Sequence, residues 1–258
     1  MGRKILKNKP LVEAIFDLRW ELQGPIRGMK TDPHYKIIIG RIYDKVSNEY
    51  PFHEQLPTAS MPDDIAGYVV QHRFRKNKNQ WPLVQIGPGI ITLNDTEGYV
   101  WEDFEKRIHD LLAILFEVYP DAENNLKVND LLLRYIDAVD LNYEKVDVFA
   151  FLKDKLKVNI HIHEDLFEGT SVSNLPLNFD LRFSFLSATK PKGTFHMRFF
   201  KGKKKNKDAL IWETQVQSSA DDAPKNREQI TRWLDEAHTL TDDWFFKMIE
   251  GELLRRFE

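Results

Sequence analysis

The stretches LNFDLRFSF (Leu177–Phe185), TFHMRFF (Thr194–Phe200) and LIWETQVQS (Leu210–Ser218) sort their side chains by parity. Leu177, Phe179, Leu181, Phe183 and Phe185 share one side, as do Phe195, Met197 and Phe199, then Leu210, Trp212 and Val216. Asp180, Arg182, Ser184, His196, Arg198, Glu213, Gln215 and Gln217 share the other. Period-two alternation of this kind predicts an antiparallel three-strand meander with one buried face and one polar face.

The buried face needs a cover. Downstream, Asn226 to Phe257 places Ile230, Trp233, Ala237, Leu240, Trp244 and Met248, with Gly251 and Leu254 further along, on one helical stripe. One long helix, or two broken near Thr241, is expected to lie on the meander. Upstream, Val146 to Leu156 reads as a short helix and Val158 to His163 as an edge strand.

The first half reads strand, helix, strand, strand, helix, strand. Leu11 to Trp20 alternates, with Val12, Ala14, Phe16, Leu18 and Trp20 on one face, and a loop with Gly24, Pro25 and Gly28 ends it. His34 to Tyr50 has helical spacing at Ile37, Ile38, Ile42 and Val46. Tyr68 to Arg75 and Trp81 to Leu93 form a hairpin around RKNKNQ, with Gly87-Pro88-Gly89 read as a bulge or kink inside the second strand. A wide apolar stripe from Trp101 to Tyr119, with Glu102 and Lys106 paired on its wet side, predicts a helix stopped by Pro120. Leu131 to Leu141 is then a central strand. This order is the ferredoxin-like βαββαβ pattern. The predicted fold class is α+β: a ferredoxin-like half over residues 1–142, packed on a half over residues 143–258 that carries the meander and its long C-terminal helix. No linker rich in Gly, Pro or Ser separates the two.

With 42% hydrophobic residues in 258, the chain can bury a substantial core. No apolar run approaches the roughly 20 residues of a membrane helix, and MGRKILKNKP lacks the apolar core of a secretory signal. A cytoplasmic protein without membrane contact is expected. The absence of cysteine excludes disulfides, thiolate zinc sites and cysteine nucleophiles. A net charge of -3 gives no global attraction to nucleic acid.

No phosphate loop, dinucleotide fingerprint or serine elbow occurs, and no cofactor is implied. His161 and His163 sit on one face of an extended segment, a spacing found in metal sites, although a metal needs three or four convergent ligands. Asp63-Asp64, Asp221-Asp222 and Asp242-Asp243 are read as acids beside turns or helix starts. His238 is expected to be packed and hydrogen-bonded. Basic residues cluster at Arg3, Lys4, Lys7 and Lys9; at Arg73, Arg75, Lys76 and Lys78; and at Lys201, Lys203, Lys204, Lys205 and Lys207. The last two clusters are assigned to hairpin tips, where they either keep strand edges soluble or bind nucleic-acid phosphate. On the polar sheet face, Arg182, His196, Arg198 and Glu213 form either a ligand-binding interface or a cross-strand charge ladder.

Several segments taken together carry a resemblance: Pro10-Leu-Val-Glu-Ala-Ile-Phe-Asp-Leu-Arg-Trp20, Gln85-Ile-Gly-Pro-Gly89, Tyr99-Val-Trp101 with Phe104, Leu133-Arg-Tyr-Ile-Asp137, and Leu234-Asp-Glu-Ala-His238 before Phe245. From Lys9 to Phe257 the chain resembles a family of sporadically distributed, uncharacterised prokaryotic proteins, in which Asn often stands where Asp137 does. The resemblance implies a prokaryotic origin and, by its patchy distribution, a defence-associated role. It brings no catalytic residues.

The leading expectation is a noncatalytic cytosolic interaction protein that binds a protein partner or itself through the polar sheet face or an exposed edge. The second is an RNA- or DNA-binding accessory protein using Arg73, Arg75, Lys76, Lys203, Lys204 and Lys205. The third is a metal-dependent enzyme using His161, His163 and a distant carboxylate.

Overall fold

The computed structural model describes residues 6–24, 30–62, 65–96 and 98–258. Arg3, Lys4, Pro25, Gly28 and the Asp63-Asp64 pair lie outside the described residues. The elements run β1 (Leu11–Trp20), α1 (Tyr35–Val46), β2 (Phe52–Gln55), β3 (His72–Arg75), β4 (Leu83–Gly87), β5 (Ile90–Asp95), α2 (Trp101–Val118), α3 (Ala122–Asn125), β6 (Val128–Asp140), α4 (Val148–Leu156), β7 (Asp180–Ser187), β8 (Gly193–Lys204), β9 (Lys207–Ser219), α5 (Arg227–Ile249) and α6 (Glu252–Phe257). The fold is mixed α+β, and all nine strands join one antiparallel sheet in the order β2-β3-β4-β5-β1-β6-β9-β8-β7.

The sheet crosses from the first half of the chain to the second at β6 and β9, paired from Asp130↔Ser219 to Asp140↔Ala209. One face carries the helices. Ala14, Phe16, Leu18 and Trp20 of β1 are fully buried there, in one core cluster with Ile38 and Ile42 of α1, Phe104, Ile108 and Leu115 of α2, and Ile230, Leu234 and Ala237 of α5. Each of the leucine, isoleucine and phenylalanine side chains among them contributes about 1.5–3 kcal/mol by leaving water. Meander parity continues the same layer, with Phe195↔Val216 and Leu181↔Phe199↔Trp212 in line across β7, β8 and β9. The expected buried face fails at its margin: Phe185 and Leu177 are exposed, because β7 is a terminal strand and Leu177 lies before it. The α5 helix begins where the Asn226 side chain accepts the Gln229 amide.

Five local expectations change. The Trp81 to Leu93 stretch is two strands, because Gly87 pairs with Ile90 and Pro88-Gly89 form the turn between them; Gly89 has φ +77°, and Pro followed by a left-handed Gly suits a type II turn. The Val158 to His163 segment joins no strand and leads into a 3-10 turn at Glu164–Leu166. The C-terminal helix breaks at Gly251, whose φ of +114° no β-carbon-bearing residue adopts without strain, and not at Thr241, which is buried mid-helix. Asp242-Asp243 therefore lies inside α5. On α2, Lys106 pairs with Asp110, 2.6 Å away. No helix among the described residues is long and apolar enough to cross a membrane.

Candidate functional site

Between the sheet and helices α2 and α5 lies a cavity of about 130 Å³. Strand parity and one irregularity build it. In β6, Tyr135 and Asp137 face the helices, opposite Thr214 and Trp212 of β9. In β1 the register slips between Leu11 and Glu13, so that Leu11 stands opposite Asp137 while Glu13 stands opposite Ile136. This bulge leaves Val12 exposed and turns Leu11 into the cavity wall, contrary to the simple alternation expected of β1.

His238 is held from two sides. Its ring stacks on Trp101, with centroids 3.7 Å apart and planes 9° from parallel. Its Nδ1 lies 2.9 Å from the Tyr135 hydroxyl, which lies 3.0 Å from the Tyr99 hydroxyl. One turn on, the Thr241 hydroxyl donates to the carbonyls of Ala237 and His238. The expected packed, hydrogen-bonded histidine is present, with Tyr135 of β6 as its hydrogen-bond partner and Tyr99, before α2, bonded in turn to Tyr135.

Asp137 is different. Only 2% of the residue is exposed, and burial raises its carboxyl from the ordinary carboxylate value to about 7, with the Lys204 charge pulling the other way. Among the described residues no hydrogen bond reaches its carboxyl. Lys204 is itself tethered: its ammonium donates to the carbonyls of Pro10 (3.3 Å) and Ala138 (3.4 Å). At the rim, Lys9 donates to the Tyr99 carbonyl.

No helix among the described residues covers the opposite sheet face, and there the polar side chains pair with one another. Arg73 donates to Gln85 (2.6 Å), Gln85 to Thr92 and Asn94 (3.1 Å each), and Asn94 to Glu13 (2.8 Å). Arg75 lies 3.5 Å from Glu54 and over the Trp81 ring. Arg19 bonds Asp17, whose carboxyl burial raises and Arg19 partly restores. Of the residues expected to form an interface, Arg182, Arg198 and Glu213 align across β7, β8 and β9. Asp180 accepts from both arginines, which hold its carboxyl well below the usual range, and Arg198 also reaches Glu213 at 3.4 Å. His196 Nδ1 sits 2.9 Å from the Ser184 hydroxyl, and burial lowers its pKa.

The basic residues are less concentrated than their spacing implies. Arg73 and Arg75 belong to β3 rather than to a tip, and only Lys76 and Lys78 occupy the β3–β4 turn. Lys203 and Lys204 end β8, and Lys205 and Asn206 make the turn with φ +48° and +66°. Both turns lie at the same end of the sheet but about five strand spacings, ~24 Å, apart. His161 and His163 are exposed with rings 5.9 Å apart, and His163 lies 3.2 Å from Asp165. No group of three or more potential metal ligands gathers among the described residues.

Finally, β7 is one of the two terminal strands of the sheet, with β2 at the other end. β7 itself exposes Phe185 (45%) and Leu186 (83%), and the segment that leads into it exposes Leu166 (68%), Val172 (64%) and Leu177 (92%). No protein-family model matches the chain, and no curated protein is similar to it.

Proposed function

We propose that the protein is a noncatalytic, cytoplasmic interaction protein that pairs with a second copy of itself along the outer edge of β7. The carrying observation is that β7, a terminal strand of the sheet among the described residues, exposes Phe185 and Leu186 and follows a segment that exposes Leu177. Such an edge is a template for further strand pairing, and soluble chains ordinarily blunt it with charge, proline or a cover.

A two-fold antiparallel register supports the second copy as occupant. Phe179 gives its carbonyl to Lys201 of β8, so odd-numbered residues turn their backbone groups inward and even-numbered ones outward. Centring the two-fold on Leu181 sets Asp180 against Arg182 of the other copy, and Leu177 against Phe185. Opposite charges then meet on one face and apolar side chains on the other. In this reading β4-β5-β1-β6, with α1 and α2 as crossovers, is a ferredoxin-like unit within residues 1–142. The half over residues 143–258 presents the edge.

Self-association is preferred to nucleic-acid binding because Arg73, Arg75 and Lys204 already have partners and the two basic turns stand far apart. Light scattering tests it. The wild type should be a dimer at tens of micromolar, and Leu177→Lys combined with Phe185→Lys a monomer of unchanged circular dichroism. A monodisperse wild-type monomer would overturn the reading.

A further inference from the structure

The cavity between α2, α5 and the sheet is large enough for several water molecules, yet much of its wall is apolar, with the rings of Tyr99, Trp101, Phe245 and Phe246 beside Leu6, Pro10 and Leu11. Into it Asp137 brings a buried carboxyl that, among the described residues, receives no hydrogen bond. A buried carboxylate without a donor is costly, and natural structures tolerate one where a ligand or ion completes it. We propose that this cavity binds a small organic cation, a protonated amine, whose N–H groups bond the Asp137 carboxylate while its alkyl part packs on the aromatic walls.

Other ligand classes fit less well. An anion would meet a carboxylate at the cavity floor, and a purely apolar molecule would leave that carboxylate unpaired. A metal ion lacks the second and third ligands it needs among the described residues. An ammonium ion answers both halves of the lining, since it donates hydrogen bonds and is attracted to the faces of aromatic rings.

Proton linkage sharpens the expectation. The charged and titratable groups around Asp137 are Lys204 from the β8–β9 end, Lys9 before β1, and Tyr135 on its own strand. From the helices come Glu102 of α2, and His238 and Asp242 of α5. Burial keeps Asp137 neutral up to about pH 7, whereas a cation binds the ionised form, so affinity should rise with pH while the amine stays protonated.

Calorimetry with propylamine, 1-propanol and sodium propionate as probes tests the proposal. Propylamine should bind the wild type saturably at about pH 8 and about tenfold more weakly at about pH 6, following the ionised fraction of the carboxyl. Propanol and propionate should give no saturable heat. Asp137→Asn keeps the shape and removes the charge, and should weaken propylamine by about 10- to 100-fold, the worth of a charge-assisted hydrogen bond. If that variant fails to fold, the wild-type pH series decides. No saturable propylamine binding, equal binding by the variant, or affinity independent of pH would each overturn the proposal. None of these outcomes depends on whether the protein is a dimer.

Discussion

The two faces of the sheet treat charge in opposite ways. On the helix-free face, arginines and acids are neighbours across the strands: Arg198 between Asp180 and Glu213, Arg19 on Asp17, Arg73 and Arg75 beside Glu54. On the helix-covered face, Asp137 is enclosed with no hydrogen-bond donor among the described residues, and Lys204 acts on it only through its field. A surface whose charges are already matched among themselves has little electrostatic drive left for a ligand. An enclosed carboxyl without a donor retains that drive, which makes the cavity the more discriminating place to look for chemistry.

The largest expected effect breaks the comparison at its unpaired end. A carboxyl whose folded pKa is raised favours the protonated fold, so its stabilising contribution is complete below the unfolded value and is lost as pH rises through the folded one. Between those limits Asp137, raised to about 7, should cost on the order of 4 kcal/mol. Denaturant melts across that range should show the wild type falling relative to Asp137→Asn by an amount of this order. Parallel curves would remove Asp137 as a titrating group.

The paired face yields smaller changes. Asn94 is buried and bonds Glu13, Gln85 and Thr92, so Asn94→Ala should cost about 1–3 kcal/mol in urea unfolding by stripping partners from polar groups held in place. Arg182 is exposed, and Arg198 continues to hold Asp180 without it. At a concentration low enough to keep the chain monomeric, Arg182→Ala should therefore leave the melting temperature unchanged, and a substantial loss there would mean that the ladder is more cooperative than its geometry implies.

Parity made much of this architecture legible. Alternation in the meander located both of its faces, because a one-residue slip would have moved Phe195, Phe199 and Trp212 out of the core. The stripes of α1, α2 and α5 were equally readable from their 3.6-residue period. Local geometry was not. The Pro88-Gly89 turn hid in a continuous apolar run, since apolar residues on both sides of a tight turn between buried strands read as one strand. Gly251 broke the helix through a backbone angle that no hydrophobic pattern reports.

The cavity could not be read for a further reason: its members are scattered along the chain and meet only when β6, α2 and α5 pack. Tyr99, Trp101, Tyr135, Asp137, His238 and Phe245 all line it. His238 looked partnerless because Tyr135 lies about a hundred residues away. Asp137, in an apolar strand, carried the one available signal, an acid at a position whose parity points into the core.

The most direct test is the titration of that acid. Carbon-detected NMR of the side-chain carboxyl of Asp137, followed from acid to mild alkali, should show a midpoint at about 7. A midpoint in the ordinary carboxylate range, near 4, would mean that the group is solvated or paired, and would contradict the contrast between the two faces.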